Sequence, residues 1–174
     1  AATPELFYEN GRPLPFGDAV LSGRSTGVPG VVAMLDMAQK AHGRLAWSEL
    51  FGAAEVLARD GFVVSPRLAG MIAQPRGQAR TPWASAYFTK ADGARYVAGD
   101  VLKNPAYADT VATLAREGAG AFYRGRIAEA IVATVREGPR PGALSLDDLA
   151  AYRPVERGAL CRPFRVYVLC APPP

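Results

Sequence analysis

Paired start and stop residues punctuate this chain, and they constrain its fold more than any other feature. Ser65-Pro66 and Asn104-Pro105 each set a polar cap before a proline. The cap oxygen satisfies an orphan amide, and proline leaves no N–H unpaired in a first turn. Gly43, Gly61, Gly118 and Gly138 follow stretches of helical apolar spacing, where a left-handed residue closes the last turn. Ser145 and Asp148 have the spacing of a capping box before a short helix over 146–152. A further start is read at Ser25-Thr26-Gly27-Val28-Pro29-Gly30, with Ser25, Thr26 or Gly27 as cap and Pro29 in the first turn.

These boundaries enclose amphipathic segments. The first carries Val31, Met34, Leu35 and Ala38 on its inner face and ends at His42-Gly43. The second, 47–60, turns Leu50, Phe51, Ala54, Leu57 and Ala58 inward. Leu68, Met71 and Ile72 line the third, and Tyr107, Val111, Leu114 and Ala115 the fourth. A turn through 121–123 leads to a helix over 126–137 with Ile127, Ala130, Ile131 and Val135 inward. Residues 1–24 read as irregular, and 74–98 as a loop with a short hairpin at 86–88 and 96–98. From Val155 the pattern changes: Phe164-Arg165-Val166-Tyr167-Val168-Leu169 is β-rich, and 155–160 is its pairing partner. The expectation is an α+β chain in one segment, mainly helical over 1–152 and β-forming over 153–174.

Composition narrows the function classes. With 174 residues, 49% apolar and 21% charged, the chain is large enough for a real core and too apolar for general disorder. No apolar run approaches the roughly 18–20 residues that span a bilayer. Ala1-Ala2-Thr3-Pro4-Glu5 has neither the basic nor the apolar region of a signal peptide. The net charge of +4 raises nucleic acid as a partner. Acidic neighbours interleave the arginines, as in Arg59-Asp60, Arg116-Glu117 and Arg136-Glu137, so the basic residues read as solvated surface.

The residues that suggest chemistry each have an ordinary alternative. Gly23-Arg24-Ser25-Thr26-Gly27 satisfies the nucleophile-elbow pattern, but that elbow needs a strand before it and a histidine late in the chain. The only histidine, His42, lies close behind and reads as a helix-end residue favoured by the dipole. Asp147-Asp148 pairs two carboxylates where a helix start wants acidic groups. Arg124 and Arg126 flank Gly125 and read as partners in surface ion pairs. Tyr107, Phe122 and Tyr123 read as core. Cys161 and Cys170 lack metal-site spacing and are left as either a disulfide or two buried thiols.

Taken in order, several short motifs add up to a resemblance. Gly27-Val28-Pro29-Gly30 is followed by His42-Gly43-Arg44-Leu45-Ala46-Trp47 and by Leu57-Ala58-Arg59-Asp60-Gly61-Phe62-Val63-Val64. Next come Gly99-Asp100-Val101-Leu102-Lys103-Asn104-Pro105, Arg116-Glu117-Gly118, and Ala121-Phe122-Tyr123-Arg124-Gly125-Arg126-Ile127-Ala128. Leu144-Ser145-Leu146-Asp147-Asp148-Leu149-Ala150-Ala151-Tyr152 and Arg165-Val166-Tyr167 with Pro172-Pro173-Pro174 complete the series. This order resembles the large subunit of the γ-glutamyltranspeptidases, autoprocessed enzymes of the N-terminal-nucleophile hydrolase class. Residues 66–98 match poorly.

The resemblance implies the mainly helical portion of an αββα sandwich, ending in a strand that enters the central sheets. It implies a γ-glutamyl transferase or hydrolase of glutathione-like amides, without a cofactor or metal, in the periplasm or secreted. The implied partners are a small subunit of the same precursor, γ-glutamyl donors, and amino-acid or water acceptors. The nucleophilic threonine would lie beyond Pro174 and the substrate-carboxylate arginine before Ala1. Ala1 is no nucleophile, so no catalytic or substrate-binding residue is assigned here and the chain alone is expected to be silent. Alternatives are an acylase of β-lactams or other amides, or a non-catalytic helical scaffold. The C-terminal strand, cut from neighbours, is expected to make the isolated chain self-associate.

Overall fold

The computed structural model describes residues 3–173. Ala1, read as no nucleophile, and Pro174, last of the proline run, lie outside them with Ala2. A small hairpin pairs β1 (Tyr8–Glu9) with β2 (Arg12–Pro13) and precedes α1 (Phe16–Val20). This corrects the irregular reading of 1–24. Its signal was Asn10-Gly11, both in the left-handed region (φ 51° and 73°), the turn that matches strand twist. Glu9 then accepts from Arg24 (3.4 Å) and Arg140 (3.1 Å), tying the hairpin to both a neighbouring turn and a distant loop.

After a 3₁₀ turn at Gly23–Ser25, α2 (Val31–His42) is capped by Gly30, later than the sequence placed the start. Its rotation also differs: Val31, Met34, Leu35 and Ala38 are exposed, while Val32 and Ala33 pack on the core. Gly43 ends it in an extended conformation (φ −70°), not a left-handed one. The segment expected as one helix over 47–60 divides into a 3₁₀ turn, Trp47–Leu50, and α3 (Gly52–Asp60). The Trp47 indole N–H donates to the Leu114 carbonyl (2.8 Å), which holds the turn apart from the helix. Only Ala58 of the expected inner face is fully buried, and Leu50 and Leu57 are exposed.

β3 (Phe62–Val63) leads into α4 (Pro66–Ala73), where Ser65 Oγ accepts from the Leu68 amide (3.2 Å), the expected cap. Ile72 is buried; Met71 is exposed. Residues 74–98, read as a loop, contain a 3₁₀ turn at Gly77–Arg80 and α5 (Pro82–Tyr87), which has Thr81 at its N-cap position and a proline in its first turn, without a side-chain cap hydrogen bond. The expected hairpin contracts to one bridge, Thr89 opposite Arg95. β4 (Val101–Leu102) pairs antiparallel with β3, bringing Leu102 beside Val64 and Ile72 in one core.

α6 (Pro105–Glu117) starts at Asn104, whose side-chain oxygen accepts from the Tyr107 amide (3.0 Å). Val111 and Leu114 face inward as expected, with Ala108 in place of Tyr107, which faces outward. The expected turn at 121–123 is a short helix, α7 (Gly120–Tyr123), followed by α8 (Arg126–Arg136) and α9 (Leu146–Ala151). On α8 the buried residues are Ala128, Val132 and Val135, while Ala130 is exposed. These join Tyr123, Leu144 and Leu149 in a second core.

The β-rich run is not one strand. β5 (Leu160–Phe164) and β6 (Tyr167–Ala171) form a hairpin about Arg165-Val166, with Arg165 left-handed at φ 56°. The partner strand is therefore 160–164 and not 155–160. The described strands form three separate two-stranded ladders beside a helical majority, an α+β arrangement.

Gly61 and Gly118 separate two roles of glycine. Both have positive φ (100° and 81°), but a methyl on Gly61 would overlap the Val101 side chain, whereas one on Gly118 meets open space. Gly61→Ala is expected to destabilise the full-length protein more than Gly118→Ala in urea denaturation. Equal losses would refute the packing component.

Candidate functional site

Three of the signature motifs converge on Tyr123. Its ring is buried, with Phe122 edge-on at 5.1 Å and Tyr152 stacked at 5.8 Å and 13°. Its hydroxyl donates to the Pro29 carbonyl (2.8 Å) and accepts from the Ala33 amide (3.0 Å). Ala33 is in the first turn of α2, where amides have no partner within the helix. The N-cap, Gly30, has no side chain to offer, so the phenol of α7 supplies the cap. Gly30 itself lies against Tyr152: a Cβ there would overlap the Tyr152 hydroxyl and ring. Burial pushes the Tyr123 phenol above its ordinary value, partly offset by the Ala33 amide, so it remains a proton donor at neutral pH.

The same logic governs Asp148. Ser145 Oγ accepts from the Asp148 amide (3.1 Å), while the Asp148 carboxylate accepts from the Ser145 amide (3.0 Å) and hydroxyl (2.8 Å). The Ser145 hydroxyl first, then its amide, holds this carboxyl below the usual range. Asp147 shares the first turn of α9. The pair is therefore a capping device, as its position implied.

Asp100 is a carboxylate that sequence reasoning passed over. One of its oxygens accepts from the Val97 amide (2.9 Å) and the Lys90 ammonium (3.1 Å). The Val97 amide first, then Lys90, lowers its pKa. Its backbone carbonyl accepts from the Val64 amide (2.8 Å), continuing the β3–β4 pairing. The signal was its place behind Gly99, left-handed at φ 93°, which marks a tight turn.

The structure separates the other candidates. Ser25 sits in a 3₁₀ turn and donates its hydroxyl to carbonyls of Ser22 (2.9 Å) and Val20 (3.2 Å), so the strand–turn–helix of an elbow is not formed. Gly23 serves packing: a Cβ there would overlap the Val135 carbonyl. His42 is the last residue of α2, a 12-residue helix about 18 Å long that stands between it and Ser25 in the chain. Arg124 donates to the Ala150 carbonyl (3.4 Å) near the end of α9, a backbone contact in place of the expected ion pair. Arg126 opens α8 and is exposed, as is Tyr107. Phe122 and Tyr123 are core, though the capping role of the Tyr123 hydroxyl was not read from sequence. Cys161 and Cys170 are bonded to each other and exposed, so the reading as buried thiols is set aside. Among the described residues, no cluster of His, Cys, Asp and Glu has metal-binding geometry, and no helix is long and apolar enough to cross a membrane.

The motifs therefore meet as caps, turns and close approaches, and comparison with known proteins identifies the pattern. The family profile described as Gamma-glutamyltranspeptidase matches residues 1–174. The chain belongs to the γ-glutamyltranspeptidase family. It is 37% identical to glutathione hydrolase 3 of Arabidopsis thaliana over 76% of its length and 21% of that protein's. It is 35% identical to the glutathione hydrolase 5 proenzyme of Homo sapiens over 98% of its length and 28% of that protein's. The crystal structure of Helicobacter pylori gamma-glutamyltranspeptidase superimposes with a TM-score of 0.90 at 26% identity, covering 99% of this chain and 49% of that one. The chain thus spans less than a third of these curated relatives and about half of the solved structure. Its fold is that of an N-terminal-nucleophile hydrolase, and the superposition extends across the junction at Tyr123.

Tyr123→Phe removes both hydrogen bonds of the junction, leaving the Pro29 carbonyl and the Ala33 amide without the hydroxyl, and is expected to cost about 1–3 kcal/mol in denaturation of the full-length protein. A loss below about 0.5 kcal/mol, within the range of neutral surface changes, would remove the cap from the account. For Asp148, the lowered folded pKa means its contribution is present above the ordinary carboxylate value, about 3.9, and is lost as pH falls through the folded value. The stability gap between wild type and Asp148→Asn should therefore narrow in acid. A gap constant with pH would contradict this linkage.

Proposed function

We propose that the full-length protein is a γ-glutamyl transferase or hydrolase of glutathione-like amides, and that this chain is the structural body of its large subunit. The family match over residues 1–174 carries this reading. The names of the relatives support the substrate class, and "proenzyme" in the human one supports autoprocessing.

In this reading a threonine encoded beyond Pro174 becomes the start of a small subunit when the precursor cleaves itself. Its hydroxyl attacks the γ-amide carbonyl, and its own α-amine accepts the proton, so one residue is both nucleophile and base. Backbone N–H groups hold the oxyanion. The amine leaves with a proton, and water or an amino acid then takes the glutamyl group from the ester. The catalytic and substrate-carboxylate groups lie outside this chain. Residues 3–173 supply rigidity: the Tyr123 cap, the Ser145–Asp148 box and the Asn104 cap fix helices against which the catalytic part assembles. A periplasmic or secreted location is part of the proposal, supported by the Cys161–Cys170 disulfide, which persists best in oxidising compartments.

Intact-mass analysis of the full-length protein should find two chains, the smaller beginning with threonine, and γ-glutamyl-nitroanilide should be turned over. Residues 1–174 alone should give only background turnover. A single uncleaved chain without an N-terminal threonine would defeat the enzymatic reading.

A further inference from the structure

The net charge of the chain is concentrated in one stretch. Between Asp60 and Asp92 there is no acidic residue, and the four basic ones, Arg67, Arg76, Arg80 and Lys90, equal the whole formal charge of +4. Lys90 is paired with Asp100 (3.1 Å). Arg67, Arg76 and Arg80 are exposed and have no ion pair or hydrogen bond among the described residues. Elsewhere the pattern is the opposite, and Arg24, Arg59, Arg116 and Arg140 each meet a carboxylate. Arg67 also stands in the first turn of α4, which holds no acidic side chain and where the helix dipole disfavours a cation. An anion beside it would offset both.

Arg67 and Arg76 line the same open groove of about 360 Å³, together with Gly70, Met71, Gln74 and Ala79. Met71 and Ala79 also line a smaller, more enclosed cavity of about 70 Å³ with Leu68, Ile72, Pro75, Phe88 and Arg95. Ile72 is buried in one core with Val64 and Leu102, and Leu68 and Phe88 pack on it. The cavity is therefore shaped by β3, α4 and β4, in the middle of the chain and away from both ends. The Arg95 guanidinium is already engaged, donating to the Ser85 carbonyl (2.9 Å) and hydroxyl (2.8 Å). No carboxylate lines either space. The smaller one is well below the about 150 Å³ that holds benzene, so it takes a short alkyl branch and not a ring.

We propose that this groove binds a short branched aliphatic carboxylate without a free ammonium, its carboxylate on Arg67 and Arg76 and its alkyl branch in the smaller cavity. A guanidinium fork matches a carboxylate in charge and geometry, and two unpaired forks facing one groove have no other acceptor there. The apolar walls of the adjoining cavity gain from each carbon removed from water. A few convergent polar groups beside an apolar recess are the ordinary form of a small-ligand site. An amino acid fits less well, because its ammonium would face two cations with no counter-charge in reach. Inorganic phosphate has the charge but leaves the recess empty.

The test titrates the native full-length protein with 4-methyl-2-oxopentanoate, following heat and the NMR signal of the Met71 methyl group. Saturable binding that shifts this signal is expected. Leucine, with the same branch and an added ammonium, should bind about ten-fold more weakly. Pyruvate, which lacks the branch, should also bind about ten-fold more weakly, and phenylpyruvate should gain nothing over pyruvate. Arg67→Gln and Arg76→Gln should each weaken binding about ten-fold without lowering the urea midpoint, since neither side chain has a partner to lose. No saturable binding, the result a groove covered in the full-length protein would give, overturns the proposal. So does equal affinity for leucine, displacement by an equal concentration of inorganic phosphate, or an affinity unchanged in both arginine variants.

Discussion

The hydroxyl of Tyr123 connects parts of the chain some ninety residues apart, and the arrangement of the larger core depends on it. A helix that begins at glycine has first-turn amides with no local acceptor, and the preceding Pro29 carbonyl also needs a donor. One phenol meets both needs because it can donate and accept at once. That pair of bonds fixes where α2 begins and which way it is rotated. Val32 and Ala33 then face the core, and Val31, Met34 and Leu35 face away. Glycine at position 30 follows from the same geometry, since any Cβ would occupy the place of the Tyr152 hydroxyl.

The second core works on a smaller scale with the same elements. Gly61 lets α3 turn directly into β3, and Asp100 gathers Val97 and Lys90 to fold the chain back as β4. Leu102 then meets Val64 and Ile72. Each motif that marks the family is thus a point where backbone geometry is tight or a helix end needs a partner. Such residues preserve a scaffold. This is why a chain can carry the family's signature while its nucleophile is proposed to lie elsewhere.

Much of the fold was legible where a local rule suffices. Ser65-Pro66, Asn104-Pro105 and Ser145 with Asp148 specify helix starts through bonds made within three residues, and the structure forms all three. Thr81-Pro82 and Asn10-Gly11 carried signals of the same kind and were passed over because their surroundings look irregular. Inner faces were less legible. Tyr107 on α6 and Met71 on α4 have the right spacing, yet neighbouring positions are buried instead, because a helical period leaves the rotation of a short helix nearly free until partners are chosen. Of the candidate residues, His42 and Asp148 could be given their roles from position alone, whereas Arg124 could not, since its acceptor lies on another helix.

The sequence by itself determined the family, the longer helices, and the starts of α4, α6, α8 and α9. These follow from motif order and from capping interactions that span only a few residues. The tertiary structure decided what is not local. It made Tyr123 a cap for α2, divided 47–60 at Phe51 and tied Trp47 to the Leu114 carbonyl, and folded the final β-rich run into a hairpin that opposes Cys161 to Cys170. In each case the deciding partner is remote in the chain or is set by a turn's handedness, and neither composition nor periodicity encodes which remote group will be near.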